Sequence, residues 1–302
     1  MDPFSRFASY FLEVARSGSL RKAAERLYIS GSAINRQILM AEESLGVQLF
    51  ERLPSGMKLT TAGEMLFDDL NRWRHEYERT CQRLDDLQGL KRGHVSVALV
   101  AALSEGPLVQ ALADICAEYP GLSFDLNVQE SHVISELVAA AEVDFGLLLD
   151  PEPYRELEIR EVAEIPVGAV LHPQHELAGL KSITPGQMAE YRHLFPAAPL
   201  IVHDHIQAAY NRVQTINPVV CNDVRMVKSL ARQQVGIGVL SKLDVLADIA
   251  DGSLVFIPFR GQHIRPMSLV LCVAQKRQLS RAAQLVMQAC QEAVRAIARM
   301  PV

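Results

Sequence analysis

Apolar residues at Phe4, Phe7, Ala8, Phe11, Leu12 and Ala15 recur every three or four positions before Gly18, so the spacing predicts an amphipathic helix over 4–16. Ser19 is placed to cap a second helix, whose inward positions are Leu20, Ala23, Ala24 and Leu27. Ser30 caps a third, with an inward stripe of Ala33, Ile34, Gln37, Ile38 and Ala41. Ser32, Asn35, Arg36 and Leu39 then fall on the opposite side. Leu45–Phe50 and Glu51–Leu59 read as a short hairpin with Pro54-Ser55-Gly56 at its tip. From Thr61 to about Gln88 no proline intervenes, and Leu66, Leu70, Trp73, Tyr77, Thr80, Leu84 and Leu87 alternate by four and three residues. This narrow seam predicts a long helix that pairs with its copy in a second chain. Gly89 to Gly93 is the expected hinge.

Beyond the hinge the period changes. Strands are expected over 95–100, 124–128 and 144–149, separated by helices over 105–118 and 133–141. A second series has strands over 167–171, 200–203, 219–222, 237–240 and 254–258, with a helix over 224–233. A strand over 267–274 and a helix over 280–298 close the order. This is a βαβ succession around a mostly parallel sheet.

At 302 residues the chain is long enough for two or three domains, and 49% apolar with 22% charged residues indicates neither disorder nor a membrane span. Its first residues lack a signal-peptide core, and its five cysteines are scattered without a C-x-x-C pair, which suits a reducing compartment and a cytoplasmic address. Cys116, Cys272 and Cys290 read as core positions. Charge is uneven: residues 1–63 hold eight Lys and Arg against six Asp and Glu, whereas residues 94–302 hold sixteen against twenty-two. A local basic face is needed if this acidic chain is to meet nucleic acid.

The polar stripe of the third helix has two readings, a solvated face on a small bundle or a helix-turn-helix whose second helix enters the major groove. Asn and Arg are the side chains that match adenine and guanine edges, and a wing bearing Arg52 and Lys58 would hold the phosphate backbone. Further matches occur in one order: Phe11-Leu12-Glu13-Val14-Ala15, Gly18-Ser19, Ala23-Ala24-Glu25-Arg26-Leu27, Ser30, Ala33, Arg36-Gln37-Ile38, Glu42, Leu45-Gly46, Leu49-Phe50-Glu51-Arg52, Leu59-Thr60 and Ala62-Gly63. On these residues the sequence resembles the LysR-type transcriptional regulators. Gly31 stands where that family usually has Gln, Asn35 where it most often has Ser, and Leu39-Met40-Ala41 replaces a stretch that usually includes a basic residue. Asn35 is therefore expected to take over part of the base readout.

The resemblance implies a winged helix-turn-helix over 1–63, a linker and dimerisation helix with hinge over 64–93, and a two-lobed, periplasmic-binding-protein-like α/β effector domain over 94–302. Its lobes would be 94–163 with 264–302, and 164–263. Ser30, Gly31, Ser32, Asn35, Arg36, Arg52 and Lys58 are the expected DNA-binding residues, and Leu66, Leu70, Trp73, Tyr77, Leu84 and Leu87 the dimer contacts. Ligands in open α/β sheets sit at the carboxyl ends of strands, here Ala101, Ala102, Ser104, Ser131, His132, His203 and Asp204. In the family the first-strand loop and the Ser131 position hold a small carboxylate or related metabolite; Ala101-Ala102 supplies no hydroxyl for it. The partners implied are promoter DNA, a small-molecule effector, a homodimer or homotetramer, and RNA polymerase, with no membrane and no cofactor.

An enzyme is not expected. Gly236-Ile237-Gly238 begins like a dinucleotide fingerprint but has Ser241 at the third glycine and follows a helix, and neither a nucleophile elbow nor a Walker loop is present. His203-Asp204-His205 offers only two imidazoles, short of a metal site. The alternative to a regulator is a metabolite-binding or enzymatic module whose N-terminal bundle serves assembly alone; only the regulator would bind DNA selectively and with steep salt dependence.

Overall fold

The computed structural model describes residues 5–54, 56–86, 93–151, 156–198, 201–210, 216–261 and 264–300. The chain divides into two compact units, 1–82 and 83–302.

In the first unit, α1 (Arg6–Ser17) starts where Ser5 accepts from the Ala8 N–H and ends at Gly18, whose φ of 62° lies in the left-handed region. Helix α2 (Leu20–Leu27) is capped by Ser19, and α3 (Gly31–Leu45) by Ser30. The turn between them carries Tyr28 at φ 54°, an uncommon conformation for an aromatic residue. Strands β1 (Phe50–Leu53) and β2 (Gly56–Leu59) pair antiparallel, with Phe50 opposite Leu59. The three helices and this wing share a core built on Phe11, Ile34, Ile38, Leu49 and Phe50, with the Phe11 and Phe50 rings 5.2 Å apart. Two elements of the expected pattern differ. Ala33 is exposed, because the buried stripe of α3 narrows to Ile34 and Ile38. Helix α4 (Thr61–Asp86) forms as expected, but Leu70 is buried in this same core and Leu66 packs against it. Leu70 is thus taken up by its own chain's core, and Leu66 only in part. Trp73 remains 46% exposed. Leu84 lies in α4 without a described side chain; Leu87 and most of the expected hinge lie outside the described residues.

The second unit contains two five-stranded sheets. Strands β3 (Gly93–Leu99), β4 (Leu122–Val128), β5 (Phe145–Leu149) and β6 (Leu157–Ile165) occupy one, with α5 (Pro107–Glu118) and α6 (Ser131–Ala139) as connections. The other holds β7 (Val167–Leu171), β8 (His193–Pro196), β9 (Val219–Cys221), β10 (Ile237–Ser241) and β11 (Val255–Pro258), with α7 (Val202–Tyr210), α8 (Val224–Arg232) and α9 (Leu246–Asp251). Then β12 (Met267–Ala274) returns to the first sheet, which has the order β4-β3-β5-β12-β6, and α10 (Arg281–Arg299) packs against α5 and β6. The second sheet runs β11-β7-β10-β8-β9.

Neither sheet is mostly parallel. β12 is antiparallel to both its neighbours, and β7 to both of its own. The first passage between sheets takes one residue, Pro166, which has no N–H to extend either ladder. The strand expected over 200–203 is not found: Leu200 lies outside the described residues, β8 comes earlier in the chain, and Val202 opens helix α7. Strand β6 has no counterpart in the expected pattern, because as an edge strand it leaves Ile159 and Val162 about half exposed and lacks a clean apolar face. Cys272 and Cys290 are buried as expected, and burial pushes both thiols up to about 12, but Cys116 is exposed on the outer face of α5.

Candidate DNA-reading face and effector cleft

The capping serine of α3 is occupied structurally: Ser30 Oγ accepts from the Ala33 N–H at 3.3 Å and from the Ser32 hydroxyl at 3.2 Å. Ser32 and Arg36 are exposed on the outward face, and Asn35 is half-buried. Asn35 Oδ1 accepts from Arg52 Nη2 of the wing at 2.9 Å. Lys58 is exposed across the hairpin from Glu51. At Gly31 an added Cβ would meet nothing nearer than 3.8 Å, so no contact within the unit requires glycine there. Ser32, Asn35, Arg36 and Arg52 thus lie on or beside the outward face of α3, whereas Lys58, paired with Glu51 while Arg52 pairs with Met57, projects from the other face of the hairpin; Ser30 is exposed and acts as the cap.

In the second unit a cavity of about 910 Å³ opens between the two sheets at the carboxyl ends of their strands. Ala101, Ala102 and Ser104 follow β3 and line it, as do Ser131, His132 and Asp204. His203 does not line it. Because α7 is helical, residues 203 and 205 point about 200° apart; His203 Nδ1 lies 3.1 Å from the Pro196 carbonyl, and His205 faces the cleft instead. This corrects the extended reading of His203-Asp204-His205.

Ser131 is 8% exposed. Its oxygen accepts from the Leu149 N–H at 3.1 Å, and its proton meets no acceptor among the described residues, leaving a donor at the cavity wall. It is also the first residue of α6, whose cap Glu130 makes no side-chain capping bond, so the N–H groups of the first turn remain available and the helix end is electropositive. Lys228, which the sequence reading does not single out, reaches the cavity with its side chain 8% exposed. Its ammonium donates to Asp248 at 2.8 Å and lies 3.6 Å from Glu105 on the opposite lobe. A signal for it exists: Val224, Val227, Lys228 and Ala231 fall on one face of α8, and a lysine inside an apolar stripe has to find a carboxylate.

A second contact joins the lobes. His205 Nε2 lies 2.7 Å from Asp150 Oδ2, and its Nδ1 lies 3.1 Å from the Arg265 carbonyl. Acceptors on both ring nitrogens favour the imidazolium; the hydrogen bond to Asp150 chiefly raises the His205 pKa, against the lowering effect of burial. Asp150 is itself fixed, its Oδ1 accepting from the Ser268 N–H at 2.7 Å. Nearby, burial raises the Asp244 carboxyl while the Ser241 hydroxyl, 2.6 Å away, and its N–H oppose that shift.

Comparison with known proteins agrees with both halves of this arrangement. The family model of the bacterial regulatory helix-turn-helix protein, lysR family, matches residues 6–64, and that of the LysR substrate binding domain matches residues 88–295. The transcriptional activator protein LysR of Escherichia coli strain K12 is 27% identical over 272 residues, covering 87% of this chain and 86% of that protein. The HTH-type transcriptional regulator BbuR of Bordetella bronchiseptica is 26% identical over 293 residues, covering 96% and 89%. The crystal structure of full-length CbnR complexed with its target DNA superimposes with a TM-score of 0.67 at 22% identity, over 97% of this chain and 99% of that one. The chain belongs to the LysR-type transcriptional regulators, with a helix-turn-helix DNA-binding domain followed by a two-lobed substrate-binding domain.

Proposed function

We propose that this regulator binds promoter DNA as a homodimer, and that a small organic anion in the interlobe cleft sets how its DNA-binding units are spaced. The observation that carries the effector reading is Ser131: a nine-tenths-buried hydroxyl with an unspent proton, at the uncapped start of α6, on the wall of a 910 Å³ cavity. An anion there is favoured by donor and dipole together. On the same lobe Ala101 and Ala102 offer only backbone and methyl contacts, so a compact acid with one apolar edge fits this side best.

The dimer reading rests on the exposed Trp73 and on Tyr77, with Leu84 and Leu87 continuing the seam. The effector domains would join such dimers into a tetramer. The site of action is the cytoplasm, where promoter DNA and RNA polymerase meet; among the described residues no helix is long and apolar enough to cross a membrane. The chain acts by binding, without catalysis. Selecting fragments of the source genome with the purified protein at near-physiological salt tests the DNA reading. A few enriched sites with inverted symmetry are expected, and uniform recovery would refute sequence-specific regulation. Metabolites suggested by the neighbouring genes can then be titrated calorimetrically, with Ser131→Ala expected to weaken the true effector about tenfold, the loss of one hydrogen bond to a charged group.

A further inference from the structure

Asn35 and Arg52 belong to different elements, and their contact is built into the way the wing is mounted. Glu42 of α3 accepts from the N–H groups of Leu49 at 2.8 Å and Phe50 at 3.2 Å, which ties the start of β1 to the recognition helix. On the other strand the Met57 N–H donates to the Gly18 carbonyl at 2.8 Å. A Cβ on Gly56 would stand 2.3 Å from that same carbonyl oxygen, so the strand's close approach depends on glycine. The hairpin is therefore held at both edges, and Arg52 Nη2 reaches Asn35 Oδ1 from a fixed support.

An asparagine on an exposed helix face has no intrinsic preference for which end of its amide points outward. A guanidinium carries only donors, so the bond from Arg52 fixes the oxygen toward the wing and the NH2 group away from it. The oxygen keeps a second lone pair beside that NH2 group. One acceptor and one donor then lie side by side in the amide plane, the complement of the N6–H and N7 edge of adenine.

We propose that Arg52 is the positioning residue for Asn35, and that this wing-buttressed asparagine reads one adenine in each half-site. The proposal rests on the DNA-binding reading above and deepens it: the wing arginine contributes to sequence choice, and not merely to holding the backbone. The test uses the full chain, a randomised duplex pool to find its preferred site, and then affinities for that site with each base replaced in turn, at several salt concentrations. Wild type should prefer adenine at one position of each half-site by roughly 5- to 150-fold, the usual range for a bidentate amide pair. Asn35→Ala should abolish that preference alone. Arg52→Ala should lower it at the same position, Arg52→Lys, which keeps a donor, should restore part of it, and the double variant should lose no more preference than Asn35→Ala. Equal weakening of every sequence by Arg52→Ala, with the salt slope reduced by about one, would mean a phosphate contact only and would overturn the proposal. Failure of the wild type to select any site would overturn the DNA reading beneath it, which separates the two failures.

Discussion

At Gly31 the side chain is absent without being forbidden: a methyl group placed there would find its nearest neighbours 3.8 and 3.9 Å away, on Leu20 and Ala24. Gly31→Ala should therefore raise unfolding stability by up to about 1 kcal/mol, read as a shift of the denaturation midpoint. No gain would show that the first turn of α3 is limited by its cap and not by propensity. A larger loss is expected at Asp144 and Arg277, where the carboxylate takes both the guanidinium at 2.6 Å and the Ser96 N–H at 2.9 Å, with the arginine and aspartate side chains 5% and 6% exposed. Removing one partner leaves an uncompensated buried charge, so Arg277→Ala should cost about 3–5 kcal/mol in chemical denaturation; a loss below about 1 kcal/mol would contradict this account. Little of this is legible in the sequence. Gly31 announces itself as a missing side chain, but Asp144 and Arg277 are 133 positions apart, and nothing local pairs them.

At the scale of elements, periodicity locates the helices and most strands because each has to bury one face. It fails where the same pattern serves two partners. The stripe on α4 is visible, but not that its first two leucines turn inward to the helix-turn-helix core. Leu70→Ala should accordingly destabilise the N-terminal unit by about 2–5 kcal/mol and leave the dimer intact, whereas Trp73→Arg should leave that unit folded and shift sedimentation from dimer to monomer. The reverse assignment of effects would restore the full six-residue seam. Likewise Leu200-Ile201-Val202-His203 has the composition of a strand. Tertiary context places Val202 and His203 in the first turn of α7, and this one change exchanges His203 for His205 in the cleft.

For the two-lobed unit as a whole, the His205–Asp150 contact makes the lobe arrangement sensitive to protons. The folded pKa of His205 lies above its usual value of 6.5, so its stabilising contribution is complete below 6.5 and is lost as pH rises through the folded value. Stability of the wild type should fall through that window more steeply than that of His205→Gln; coincident profiles would exclude His205 as the source. The position of the cleft is readable from the order of strands, since ligands gather where their carboxyl ends meet, but its contact across the lobes joins Asp150 just after β5, His205 of α7 and Arg265 just before β12, and only the fold assembles those.

That return also sets an order of assembly. β12 lies between β5 and β6, yet it is translated after every strand of the second lobe. While the ribosome is still working, the first lobe has β5 and β6 without the strand that belongs between them, and neither edge can find its permanent neighbour. The helix-turn-helix and its wing, by contrast, close on local contacts as soon as α4 has begun to emerge. A nascent chain therefore owns a DNA-reading head well before it owns a sensor. Premature termination ahead of residue 267 would release a protein competent to occupy promoters and deaf to its signal.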